Sequence, residues 1–352
     1  MNVKRAFERV PVDREAEERA WTVVRAAFAE REPVHVVRRR WPVAVVALAA
    51  VCLAAALSPP GRAVVNAVRR SIGITHASPA LFRLPAPGRL LVSGGGGTWV
   101  VTADGSKRRL GDWTSASWSP HGLFVVTADR DSLAAVEPRA GVVHWSLSRP
   151  AVALPRWGGT RLDTRIAYLS GSSLRVVAGD GTGDRLVAAQ AARIAPVWEG
   201  SRHVLAYATA GGAVVVRDTD TGKVLSRRHV GDARALAWSR DGRLAIATSR
   251  GVDGLRLRGV RAIAFAPNGD LAIVTAHALL VSGPEGVQTV LRVAGRLAGV
   301  AWSPDGRWLV TSLPGADQWV FVGRRGRVLG VAHIARQFGG GEPELDGWVP
   351  DA

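Results

Sequence analysis

The 352 residues carry a formal net charge of +17, a globular composition and one cysteine, Cys52, so an intrachain disulfide is excluded and there is length enough to bury a core. Of the 46 basic residues only Lys4, Lys107 and Lys223 are lysines, and no block of five or six like charges occurs. The excess is a diffuse arginine-rich surface, which disfavours nucleic acid as the partner.

Residues 1–12 have no clear period. Asp13 can then cap an amphipathic helix over 13–31, with Glu15 in its first turn and Ala20, Trp21, Val24, Ala27 and Phe28 on one face. Arg31 and Pro33 mark its end. Trp21 and Phe28 are candidate contacts for a cytoplasmic partner, although a helix lying on the membrane surface fits the same stripe.

Arg38-Arg39-Arg40 gives way to an uncharged run from Trp41 to Pro60. Twenty residues at the α-helical rise span about 30 Å, the thickness of the hydrocarbon core, and Trp41 sits where interfacial aromatics are favoured. The expectation is a transmembrane helix over 41–60, with residues 1–40 cytoplasmic and the rest exported. A cleaved signal peptide competes less well because the segment before it is too long. Lipid modification at Cys52 also fits poorly, because that residue lies inside the apolar run. Residues 61–79 read as a juxtamembrane helix and linker.

From residue 80 a unit recurs whose clearest copy is Gly299-Val-Ala-Trp-Ser-Pro-Asp-Gly-Arg-Trp-Leu-Val-Thr311. It reads as strand, tight turn, strand, because Pro presets φ and Gly supplies the positive φ that a turn needs. Alignment on its aromatic gives Leu84, Trp118, Trp157, Trp198, Trp238, Phe265 and Trp302, at spacings of 34, 39, 41, 40, 27 and 37 residues. A period near 40 with several short strands per unit is that of a β-propeller. The step of 27 predicts that the unit at Trp238 has lost an outer strand. Small residues before each aromatic, such as Ala235-Leu-Ala237 and Ala262-Ile-Ala264, suit innermost strands that converge on an axis. The fold class is therefore all-β: a seven-bladed propeller, six blades being the alternative, over residues 80–338, with 339–352 as a flexible tail.

The Trp-Ser-Pro-Asp-Gly unit resembles the WD-like repeats of TolB-type β-propellers, and Val214 to Leu225 and Ala135 to Trp145 resemble the outer-strand turns of WD-like and quinoprotein-like propellers. The units lack the Gly-His and terminal Trp-Asp of true WD repeats. The resemblance implies a fold and leaves the ligand open.

Nothing in the pattern supports an enzyme. Asp218-x-Asp220-x-Gly222 looks like a calcium loop but suits an ordinary outer-strand turn better. The eight histidines have no metal-ligand spacing, no Gly-x-Ser-x-Gly elbow occurs, and Gly94 to Gly97 fits a hairpin rather than a phosphate loop. No catalytic residue, cofactor or metal is expected. Arg156, Trp157, Arg324 and Arg325 are the candidate partner-binding residues, expected in inter-blade loops that face a partner protein or an anionic envelope polymer. The leading expectation is a membrane-anchored, exported, non-enzymatic interaction module. The alternative is a transmembrane sensor laid out like a membrane-bound anti-sigma factor, with residues 13–31 engaging a cytoplasmic partner.

Overall fold

The structure, a computed structural model, describes residues 77–351 apart from 79, 82, 161 and 201. The expected helix over 13–31, the span over 41–60 and most of the 61–79 segment lie outside the described residues. No helix among the described residues is long and apolar enough to cross a membrane.

The described residues form seven four-stranded antiparallel sheets, the blades of a propeller. Blade 1 contains β1 (Arg89–Ser93), β2 (Thr98–Val101) and β3 (Lys107–Gly111). Blade 2 contains β4 (Ser115–Trp118), β5 (Val125–Ala128), β6 (Ser132–Glu137) and β7 (Val142–Ser148). Blade 3 is β8 (Val152–Gly159), β9 (Thr164–Ser170), β10 (Ser173–Ala178) and β11 (Arg185–Ala188). Blade 4 is β12 (Val197–Trp198), β13 (Val204–Ala208), β14 (Ala213–Asp218) and β15 (Val224–His229). Then come blade 5, with β16 (Ala233–Trp238), β17 (Leu244–Thr248), β18 (Gly251–Val252) and β19 (Leu255–Arg256), and blade 6, with β20 (Ala262–Phe265), β21 (Leu271–Val274), β22 (Ala278–Gly283) and β23 (Gly286–Arg292). Blade 7 holds β24 (Ala298–Trp302), β25 (Trp308–Leu313), β26 (Gln318–Gly323) and β27 (Val328–Ala332), and β28 (Glu344–Val349) completes blade 1.

The repeat works as its residue types require. In blade 7 the Gly306 N–H donates to the Ser303 carbonyl at 2.9 Å with φ at +67°, a conformation costly for any residue but Gly. Ser303 Oγ accepts the Trp308 N–H at 2.9 Å, which ties the turn to the strand that follows. Ser119 does the same for Phe124 in blade 2, and Ser239 for Arg243 in blade 5.

The tryptophan of the repeat has a tertiary task. Trp118 Nε1 donates to the Gly347 carbonyl at 3.3 Å, Trp198 Nε1 to Arg156 at 2.9 Å and Trp302 Nε1 to Ala264 at 3.0 Å. Each acceptor is the residue just before the aromatic of the preceding blade, so the indole pins one blade to the next. The indole nitrogens of Trp157, Trp238 and Trp348 occupy the same repeat position and are buried without a partner. Gly158 is required because Trp198 lies over it: a Cβ there would sit 2.1 Å from the ring.

Three expectations are corrected. The unit at Trp238 keeps all four strands; its shortness comes from β18 and β19, of two residues each, joined by a tight turn with Asp253 at φ +45°. The segment expected as a flexible tail over 339–352 is ordered where it is described, because β28 pairs with β1 from Arg89↔Val349 to Ser93↔Glu344 and closes the ring. The first repeat is consequently not centred on Leu84. Its aromatic is Trp348, and Trp348-Val-Pro-Asp351 followed in space by Gly88-Arg-Leu-Leu-Val92 reproduces Trp302-Ser-Pro-Asp-Gly-Arg-Trp-Leu-Val310. The Gly88 N–H donates to Asp351 Oδ2 at 3.2 Å, joining the halves of the split turn. Leu81, Leu84, Leu90, Val92, Val310, Phe321 and Trp348 form one buried cluster where blades 7 and 1 meet.

Candidate partner-binding face and axial channel

The turns that follow each inner strand and the turns joining third to fourth strands lie at the same end of the blades, because antiparallel order returns every second turn to one face. Between blades 2 and 3 this face holds a groove of about 870 Å³. Its floor is aromatic. Phe124 meets His144 edge to face at 5.1 Å and stacks on Trp157 at 6.2 Å, and Trp145 Nε1 donates to the Gly179 carbonyl at 2.9 Å. Its rim carries two apolar side chains that the fold leaves in solvent, Leu123 at 53% and Leu162 at 98% exposure.

Charged groups anchor the blade 3 side of that rim. Arg165 pairs with Asp163 and lies 3.8 Å from Asp220 of blade 4. His203 Nδ1 meets Asp220 Oδ2 at 2.5 Å, and Nε2 is 2.9 Å from the Asp163 carbonyl oxygen. Burial pulls the His203 pKa down, but the Asp163 carbonyl and the Asp220 carboxylate prevail and hold it above the usual histidine value. Farther out, Asp184 accepts from Tyr168, Arg149 and Arg175. Burial pushes the Asp184 carboxyl up, yet these three donors keep it below the ordinary carboxylate value; burial and the carboxylate push the Tyr168 hydroxyl up to about 12. The Asp184 cluster joins side chains of β7–β8, β9 and β10, whereas Arg165 Nε in the other cluster is buried without a partner.

The second cavity is the axial channel, about 610 Å³, lined by the inner strands. Arg156, Arg234, Arg240, Arg261 and Asp346 are its charged lining.

The expected partner-binding residues divide. Arg156 and Trp157 are not in a loop: both belong to β8, the inner strand of blade 3, with Arg156 facing the channel and Trp157 under the groove. Arg324 is in the turn after β26, but its guanidinium lies 2.5 Å from Asp270 of blade 6, whose side chain is only 4% exposed. It ties two blades together. Arg325 beside it is exposed. Trp21 and Phe28 lie outside the described residues. The turn at Asp218 is structural: Asp218 Oδ1 accepts the N–H groups of Asp220 and Thr221, and Asp220 is engaged with His203.

Sequence reasoning did not single out Leu123, Leu162, Ser93 or Asp346. The copy of the repeat at Trp348-Val-Pro-Asp351 could have placed Asp346 on an inner strand, but nothing local marks the two leucines.

The family model described as WD domain, G-beta repeat, matches residues 288–322, which run from β23 through β24 and β25 into β26. The sequence repeat is thus offset by one strand from the blade. No curated protein matches the chain. Among solved structures, KlHsv2 with loop 6CD replaced by a Gly-Ser linker is similar at 13% identity and TM-score 0.51, over 66% of this chain and 88% of that one. A chain of Kuenenia stuttgartiensis hydrazine synthase is 16% identical with TM-score 0.44, over 58% and 75%. The likeness to KlHsv2 is one of fold. With seven blades in place, the chain is a β-propeller with a WD-type repeat, a fold suited to protein interaction.

Proposed function

We propose that this propeller is a non-enzymatic protein-interaction module held at the outer face of a membrane by a single helix over residues 41–60. The observation that carries the interaction is the groove between blades 2 and 3. Leu123 and Leu162 stand in solvent at the rim of a cleft lined by Phe124, Trp145 and Trp157, an aromatic pocket of the kind in which partner side chains anchor. Hydrogen bonds between blades fix the groove's walls, so a partner segment inserting an aliphatic or aromatic side chain meets a preformed pocket at little ordering cost. Exposed Arg325 adds a salt-sensitive contact suited to an acidic partner or an anionic envelope polymer. The anchor and the exported side rest on the Arg38 to Arg40 step against the uncharged run that follows.

A photoreactive side chain at position 162, introduced in cells, should give one discrete crosslinked adduct that Leu123→Asp abolishes. If a correctly folded variant gives none, the groove is not the interaction site. Protease added to intact spheroplasts should digest residues 80–352 and spare the first 40, and the reverse pattern would overturn the topology.

A further inference from the structure

The inner strands are regular except at four places, and three of these put a charged residue into the channel. On β28, Leu91 pairs with Gly347 and Val92 with Leu345, so Asp346 is the extra residue of a bulge. On β16 the register steps from Ala233 to Ala235 and leaves Arg234 unpaired. On β8 it steps from Ala153 to Arg156, with Leu154 forced to φ +52°. The fourth bulge, on β24, contains Gly299. Bulges re-aim side chains, and a strand that needed only to pack small residues about an axis would gain nothing from them.

The re-aimed groups are not spent on one another. Arg156 makes one hydrogen bond, from Nη1 to the carbonyl of its own neighbour Pro155, and no ion pair. Asp346 Oδ2 is buried and makes no ion pair, and the group that acts on it from the adjoining β1 is the Ser93 hydroxyl. Asp346 and Arg156 sense each other's charge yet do not touch.

We propose that the axial channel is a binding site for a small molecule bearing an oxyanion, held between the Arg156 guanidinium and the carboxyl of Asp346. The positive lining favours an anion: Arg156, Arg234, Arg240 and Arg261 stand against Asp346, and the cavity has the size of ordinary ligand sites. Burial pushes the Asp346 carboxyl up to about 7, against the pull of Ser93 and Arg156. Glu344 on the same strand pushes it up further. The flanking β4 and β24 contain no titratable side chain, and Arg89 of β1 is turned to the carbonyls of Gly122 and Pro350. Below that pH the carboxyl is a donor to an oxyanion; above it, it repels one. The site is independent of the groove and of the membrane anchor.

Calorimetric titration of the full-length chain in detergent tests this, with sulfate as the tetrahedral probe and acetate as the carboxylate probe, against chloride at matched ionic strength. Neither probe changes charge between pH 6 and 8. Saturable binding of one probe at pH 6 should weaken about tenfold by pH 8, in line with uptake of one proton. Preference for sulfate assigns phosphate or sulfate esters, and preference for acetate assigns carboxylic acids. Asp346→Asn, whose amide remains a donor, should keep the binding and lose the pH dependence. Arg156→Gln should abolish binding while the far-ultraviolet spectrum stays native; if that variant does not fold, Arg234→Gln should reduce affinity severalfold. Absence of saturable binding by either probe, equal affinity at the two pH values, or binding untouched by the arginine substitutions would overturn the proposal.

Discussion

Closing the ring with β28 makes the whole domain hostage to a few residues near the carboxyl end, and Trp348→Ala tests how much. Trp348 is buried in the cluster between blades 7 and 1, with its ring 6.0 Å from Phe321 at 78°. Truncating a buried Trp to Ala removes its transfer energy and leaves a cavity, at about 3–5 kcal/mol. Its indole N–H has no partner, so no hydrogen bond adds to the loss. At about 2–4 °C per kcal/mol for a domain of this size, the melting temperature should fall by about 10 °C. Deleting residues 342–352 goes further, because Leu90, Leu91 and Val92, each fully buried, would face water on an open sheet edge. At about 1.5–3 kcal/mol per side chain that exposure rivals the net stability of a domain, about 5–15 kcal/mol. Thermal melts followed by circular dichroism should show a cooperative but lowered transition for Trp348→Ala and no cooperative transition for the deletion. If the truncated chain melts within about 2 °C of the full chain, the ring does not depend on this closure.

The two classes of repeat tryptophan predict a contrast. Trp302→Phe strands the Ala264 carbonyl and should cost about 1 kcal/mol more in denaturant titration than Trp238→Phe, whose indole nitrogen has no partner to lose. Arg324→Glu should destabilise the domain, because it leaves buried Asp270 beside a like charge, whereas Arg325→Glu should stay within about 0.5 kcal/mol of the parent. The raised pKa of Asp346 means that the folded chain binds a proton the unfolded chain has released. Stability from this group is therefore present at low pH and lost as pH rises from 3.8 to about 7, and Asp346→Asn should melt higher than the parent at pH 8 but not at pH 4. His203, with its pKa also raised, contributes stability that is full below its unfolded value and fades as pH rises through the folded one; His203→Gln should flatten that part of the melting profile.

What the sequence determined by itself was everything encoded within one repeat. Ser-Pro-x-Gly specifies its turn through φ limits and a hydroxyl, alternation specifies the strand faces, and the period near 40 specifies a ring of blades, because those constraints act over a few neighbouring residues. The tertiary structure alone decided what depends on partners distant in the chain. Trp348 and Gly88 belong to one turn although 260 residues separate them, and the short unit at Trp238 keeps its fourth strand because the turn at Asp253 folds the two residues of β19 back onto buried β18. Likewise Arg156, which looks in sequence like a loop residue beside Trp157, is turned into the channel by a bulge whose register is set by β9, and the guanidinium of Arg324 is engaged by buried Asp270 on another blade. A side chain's exposure is a property of what packs around it, so residue type alone could nominate these arginines but only the closed ring could say which remain free.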